Sequence, residues 1–265
     1  MACEPRADGG RCPWDCDPMK IAVTGKGGVG KTTLTALFAR VAAGRGHPVL
    51  AIDADPNPNL HLALGFSSAP PPLVGMKQLI EERLGSMEGF FRLNPRVDDI
   101  PEQFSLAEGG IRLLVMGGIT RGGGGCACPQ STFLRSLLQH IMLERSDWVF
   151  MDCEAGLEHL GRATAMGADA LIVVVEPSRS SQETGIRIRQ LAAEIGLSRV
   201  YVVGNKIRDP EEQSLIEQAM AGMTFLACLP ESSQLRRSAS RGMPAHDPDL
   251  SAAAGRILEE IDARV

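Results

Sequence analysis

From Met19 onward the chain alternates two kinds of hydrophobic pattern. Short apolar runs, KIAVT (20–24), PVLAID (48–53), IRLLVM (111–116), WVFMD (148–152), ALIVVVE (170–176), VYVVGN (200–205) and TFLACL (224–229), predict strands. Most are continuous rather than alternating, which suits strands covered on both faces. Helical patterns fill the gaps over 31–45, 132–144, 181–195, 211–221 and 250–262. Strand and helix in this alternation imply right-handed crossovers and a doubly wound, mostly parallel α/β sheet with helices on both faces. Residues 65–110 are less regular, with PPPLVG and charged turns, and are expected to form an insertion on the same domain. Residues 1–18 carry Pro, Gly, Asp and Cys without a hydrophobic period. They are expected to be a poorly ordered extension, or to lie upstream of a start at Met19. Residues 19–265 read as one domain.

Composition narrows the classes of function. At 265 residues and 44% hydrophobic, the chain can bury a substantial core. Its 27 basic and 32 acidic residues give a net charge of −5, which points away from nucleic acid and from anionic membrane as partners. No apolar run reaches the length of a membrane span, and the N-terminal stretch lacks an apolar signal core, so the expected location is the cytoplasm. There the seven cysteines are expected as reduced thiols, to be considered for metal or redox chemistry before disulfides.

The strongest local signal is GKGGVGKTT, residues 25–33, between a predicted strand and a predicted helix. It fits G-x-x-x-x-G-K-[ST], the loop that cradles nucleotide phosphates. Gly25, Gly27, Gly28 and Gly30 let the backbone around Val29 wrap tightly and aim its N–H groups inward. The helix beginning at Lys31 adds its dipole, the Lys31 ammonium faces the β- and γ-phosphates, and Thr32, followed by Thr33, offers a hydroxyl to Mg²⁺. A second strand ends in AIDADPNPN (51–59), where Asp53 and Asp55 stand at the edge where open α/β sheets bind ligands. Asp53 is either a ligand near Mg²⁺ or a cap of the strand end. A third strand ends in Asp152 with Gly156 four residues on, the form of a second carboxylate motif. Asp152 is placed to hold the Mg²⁺ shell and Gly156 to offer its N–H to the γ-phosphate. Cys153 is expected to turn to the other face as a small buried hydrophobe.

Lys26, a second lysine early in the loop, makes K-G-G-x-G-K-T. This resembles the deviant phosphate loop of the MinD/ParA/nitrogenase iron protein class of P-loop ATPases. The resemblance implies a nucleotide-sandwich homodimer in which Lys26 reaches the partner's nucleotide in the manner of an arginine finger. It also implies that Asp55 orients the attacking water, and that VVGNK and LPESS embrace the base through Asn205, Lys206 and Pro230. A guanine motif would read N-K-x-D, whereas Asp209 stands one position late, so ATP is expected over GTP.

GGGGCACPQ (122–130) places Cys126 and Cys128 two apart, so an extended segment turns both sulfurs to one side. Two thiolates under-coordinate a soft metal that takes four ligands at about 2.3 Å. A two-fold axis supplies the same pair again, so the motif predicts a soft-metal site shared between subunits. A strained redox disulfide is the other use of the pair. The C-terminal LSAAAGRILEEIDARV carries Glu259, Glu260 and Asp262, unlike the basic membrane helix of MinD-type proteins.

Taken together, KGGVGKTT, DADP, the MGGI-x-x-GG-x-x-C-x-C stretch (116–128), DCEAGLEHL (152–160) with Glu158 and His159, and VEP (175–177) resemble the CooC-type accessory ATPases. These mature nickel carbon monoxide dehydrogenase. The resemblance implies ATP hydrolysis coupled to nickel insertion into the C-cluster, with apo carbon monoxide dehydrogenase as client. It also implies that the ion shared by Cys126 and Cys128 between subunits is Ni²⁺ or Zn²⁺. The sequence does not separate this reading from a close relative that matures acetyl-CoA synthase. Two rivals remain: a nitrogenase-type reductase or iron–sulfur carrier, and a ParA-like positioning ATPase.

Overall fold

The apolar runs form a single eight-stranded sheet in the computed structural model, which describes residues 18–85, 92, 94–117, 129–154 and 167–264. Its strands are β1 (Lys20–Gly25), β2 (Val49–Asp53), β3 (Leu106–Glu108), β4 (Ile111–Val115), β5 (Trp148–Asp152), β6 (Ala170–Val175), β7 (Val200–Ile207) and β8 (Thr224–Pro230). They lie in the order β3-β4-β2-β5-β1-β6-β7-β8. All neighbours are parallel except β3, which pairs antiparallel with β4. The expected doubly wound α/β fold is therefore the observed one.

Successive side chains along each strand enter opposite layers. Ile21 and Val23 of β1 join one core with Leu34, Leu37 and Phe38 of α1 (Lys31–Gly44). Ile257, Leu258 and Ile261 of the C-terminal helix (Pro248–Asp262) complete that layer. Phe38 stacks on Phe150 of β5 with ring centroids 5.9 Å apart. Burial of each such ring contributes on the order of 2–3 kcal/mol. Ala22 faces the second core, built on Leu134, Leu137 and Ile141 of the helix Pro129–Glu144, Ile188 of Arg179–Glu194 and Ile216 of Pro210–Ala219.

The described residues of 65–110 form more regular structure than their pattern suggests. They form a helix, Lys77–Leu84, a short one, Ile100–Phe104, and the edge strand β3, and Leu73, Ile80, Leu84 and Ile100 enter the second core. Two further helices, Leu60–Leu64 and Ser233–Ser240, lack the long apolar stripe that would have announced them. Strand β7 runs two residues beyond its apolar run, so Lys206 and Ile207 join Asn205 within the strand. The expectations for 1–17, Cys126, Cys128, Gly156, Glu158 and His159 fall outside the described residues.

Candidate nucleotide-binding site

The chain turns from β1 into α1 at the middle of the sheet, where strand order reverses: β2 lies beyond β5 on one side of β1, and β6 adjoins β1 on the other. Open α/β sheets bind ligands in the crevice at such a switch point. Gly25 must be glycine here, since a Cβ would lie 2.4 Å from the Val174 carbonyl oxygen and φ is +146°. Gly30, at φ +102°, caps α1, and a Cβ there would meet Asn205 Nδ2 at 2.4 Å.

Lys31 is buried at 7% exposure, and its ammonium donates to the Lys26 carbonyl at 3.3 Å, inside the loop's own curve. Lys26 points elsewhere: its Nζ donates to Ser180 Oγ at 2.7 Å, at the start of the helix Arg179–Glu194. The two lysines thus occupy different places, one within the cradle and one at its rim.

Strands β2 and β5 are in register, with Asp53 opposite Asp152. Asp152 accepts a hydrogen bond from Thr32 Oγ1 at 2.5 Å. Its other oxygen is buried with no hydrogen-bond partner. Burial pushes its carboxyl up to about 7, against the Thr32 hydrogen bond and with help from the Asp53 charge. An orphaned carboxylate oxygen beside a hydroxyl, both next to a phosphate loop, is a donor set that suits Mg²⁺. Asp53 is fully buried and spends its oxygens on backbone: Oδ1 accepts from Asp55 N–H at 3.2 Å and Oδ2 from Leu60 N–H at 2.9 Å. These backbone contacts are what the cap reading of Asp53 expects, with its charge beside Asp152. Asp55 is half-buried and closes a turn by accepting from Asn57 N–H at 2.8 Å.

A cleft of about 540 Å³ extends from Gly28, Gly30 and Thr33 to Asn205, Lys206 and Pro230. These sequence-selected residues therefore border one cavity. Asn205 Nδ2 donates to the Val29 carbonyl at 2.7 Å, so its amide nitrogen serves the loop. Asp209 caps the helix Pro210–Ala219 by accepting from Glu212 N–H at 2.9 Å, which explains its displaced position in the N-K-x-D pattern. The sequence reading missed Glu176, Ser178 and Ser180 as loop neighbours. Their signal was the Ser-rich helix cap directly after VEP, since Ser178 caps by accepting from Ser181 N–H.

Cys153 is buried in the second core as expected, and burial raises its thiol. Among the described residues no group of three His, Cys, Asp or Glu side chains could hold a metal ion. None of the described helices is long and apolar enough to cross a membrane.

The Asp152 carboxyl makes a pH prediction. Its folded value of about 7 lies above the reference of 3.8, and burial penalises the charged form. The penalty is absent below the reference value, grows as pH rises toward 7, and is complete above it. The metal-free, nucleotide-free protein is therefore expected to lose thermal stability as pH rises from the reference value of 3.8 to about 7. In Asp152→Asn that slope flattens, as melting curves at several pH values with a chelator present would record. An unchanged slope in the variant would remove Asp152 as its source.

A glycine-rich loop at the switch point of a parallel sheet, with a buried lysine and a hydroxyl–carboxylate pair, defines a nucleotide-binding P-loop protein. The chain belongs to the CobQ/CobB/MinD/ParA nucleotide-binding domain family, whose model matches residues 20–245. It is 41% identical over 236 residues to the carbon monoxide dehydrogenase accessory protein CooC of Rhodospirillum rubrum, spanning 86% of this chain and 90% of that one. It is 39% identical over 249 residues to an uncharacterized ATP-binding protein of Methanocaldococcus jannaschii, spanning 92% and 96%. A chain of the MinC:MinD cell division protein complex of Aquifex aeolicus superposes with a TM-score of 0.66 at 21% identity, covering 91% of this chain and 96% of that one, which shows the shared fold.

Proposed function

We propose that this chain is a cytoplasmic, ATP-hydrolysing maturation factor that delivers nickel to apo carbon monoxide dehydrogenase as a homodimer. The observation that carries the reading is its 41% identity to a carbon monoxide dehydrogenase accessory protein over most of both chains. The C-x-C pair, Cys126 and Cys128, supplies the chemistry that such a task needs.

In this reading the loop Gly25–Thr33 wraps the phosphates of ATP, and the buried Lys31 leaves the Lys26 carbonyl for the β- and γ-phosphates. Thr32 and the unpartnered oxygen of Asp152 hold Mg²⁺, with the Asp53 charge behind them. That ion, when bound, neutralises charge on the transferring phosphoryl group. Asp55 orients the attacking water, and Gly156 offers its N–H to the γ-phosphate. Asn205, Lys206 and Pro230 border the base end of the cleft. Lys26 leaves Ser180 and crosses to the nucleotide of the second subunit as the two close face to face.

The cargo sits elsewhere. Cys126 and Cys128 of both subunits supply four thiolates to one Ni²⁺, or to Zn²⁺, across the two-fold axis. Described structure lies on either side of the pair. Met116 N–H donates to the Asp53 carbonyl at 2.9 Å, and Pro129 opens the helix that follows. In this reading subunit closure changes the thiolate spacing, and linkage then makes metal and nucleotide affinities depend on each other.

The test is equilibrium nickel binding without nucleotide, with ADP, and with a non-hydrolysable ATP analogue. Expected are one ion per two chains and affinities that differ at least fivefold between nucleotide states, the lower range of allosteric coupling. Equal affinities and one ion per chain would sink both the shared site and the coupling. Apo carbon monoxide dehydrogenase and apo acetyl-CoA synthase, offered in parallel, identify the client by which one gains activity.

A further inference from the structure

The end of β7 is irregular in a way that serves the loop. Gly204 pairs with Cys228 and Ile207 with Pro230, so Asn205 and Lys206 together stand opposite one residue of β8. This is a β-bulge, a device that re-aims side chains beside functional sites. Lys206 adopts φ +59°, the only positive φ of a non-glycine among the described residues. A residue with a Cβ takes that conformation at a cost, and keeps it where its surroundings over-determine it.

Three contacts do so. Lys206 Nζ donates to the Gly28 carbonyl at 2.6 Å and to Glu176 Oε2 at 3.1 Å. Asn205 Nδ2 donates to the Val29 carbonyl at 2.7 Å. Ser178 Oγ in turn donates to Glu176 Oε1 at 3.2 Å, steadying the carboxylate. A phosphate cradle requires peptide N–H groups turned inward, which turns the carbonyls of the same peptide planes outward. A donor on each outward carbonyl fixes its plane. The planes pinned here are Gly28–Val29 and Val29–Gly30, in the centre of the loop.

We infer that Asn205, Lys206 and Glu176 form a latch that holds the phosphate loop in its binding shape, so that they set affinity through the phosphates and not by reading the base. The inference rests on the reading that this loop binds nucleotide. A latched loop needs no ordering when ligand arrives, and it opens slowly when ligand leaves. Lys206 and Asn205 are thus positioning residues.

The experiment measures dissociation constants and release rates for ADP and for inorganic tripolyphosphate, both with Mg²⁺, on the full chain. Lys31→Ala is the control for the underlying reading: if wild type and Lys31→Ala bind ADP alike, the loop is not the site and that reading fails first. Given binding, Lys206→Ala and Lys206→Gly are expected to weaken both ligands by the same factor, about tenfold, the effect of one lost charge-assisted hydrogen bond. Most of it should lie in faster release. Glu176→Gln should cost about threefold, because the ammonium keeps its carbonyl contact. Lys206→Gly relieves the strained φ, so its Tm should equal or exceed that of Lys206→Ala while its affinity falls as far. That separation distinguishes a latch from a stabilising residue. The latch is overturned if ADP binding falls while tripolyphosphate binding holds, as a base contact predicts, or if neither changes.

Discussion

Lys26→Ala is expected to leave ATP binding near the wild-type level and to slow ATP hydrolysis about 1000-fold, the lower range of effects seen for a cation supplied across an interface. The geometry separates the roles of the two lysines. Lys31 is the buried one, within the loop's curve, and ground-state affinity belongs to it. The Lys26 ammonium sits at the rim, resting on Ser180 of its own chain, and only the Lys26 carbonyl takes part in the cradle. A charge that arrives only on closure stabilises the transition state more than bound ATP, so the loss falls on kcat and not on KM. Steady-state kinetics and ATP-analogue binding, measured on the same preparation, decide the matter. A variant that loses ATP affinity with an unaltered kcat would place Lys26 in its own subunit's site.

The second large effect concerns the cysteines. Cys126→Ala with Cys128→Ala is expected to abolish stoichiometric nickel or zinc binding, from one ion per two chains to none, and with it activation of the client. ATP hydrolysis should persist. The reasoning is coordination number: four thiolates complete a tetrahedral site, and in the proposed dimer each subunit would supply two. Cys126→Ala alone leaves two thiolates per dimer, and affinity should fall at least 100-fold, the upper range of what even an outer-shell partner contributes. Metal analysis, sedimentation and client activation together read this out. Visible absorption by the anaerobically purified protein would support an iron–sulfur carrier instead. Full function of the double variant would favour a positioning ATPase.

The frame of the molecule was plain in the sequence for a physical reason. A parallel strand covered on both faces has to be apolar at successive positions, and each of the seven apolar runs became a strand. β3 escaped because it is three residues long, none of them buried, and takes its place only by pairing with β4. The helix Ser233–Ser240 buries no residue at all, so no apolar stripe marked it. Residues 65–110 anchor through single side chains spread along the segment, a pattern too sparse to announce itself.

Within the site, the phosphate loop and the carboxylates that face it were legible because local chemistry dictates their spacing. The partners of Lys26 and Lys206 were not, since Ser180 and Glu176 lie 154 and 30 residues away in sequence. Nor was the left-handed Lys206, whose conformation follows from a mismatch of register between β7 and β8.

The strand order has a consequence for how the protein is made. The loop at the start of the chain is completed by Asp152, on a strand inserted between β1 and β2, and is fastened by Asn205 and Lys206 at the seventh strand. A growing chain therefore carries its phosphate loop long before it has a place to put ATP. Contacts that span more than a hundred residues are late and slow to form. Ligand capture in this molecule is a certificate of finished folding, issued only when most of the polypeptide has left the ribosome.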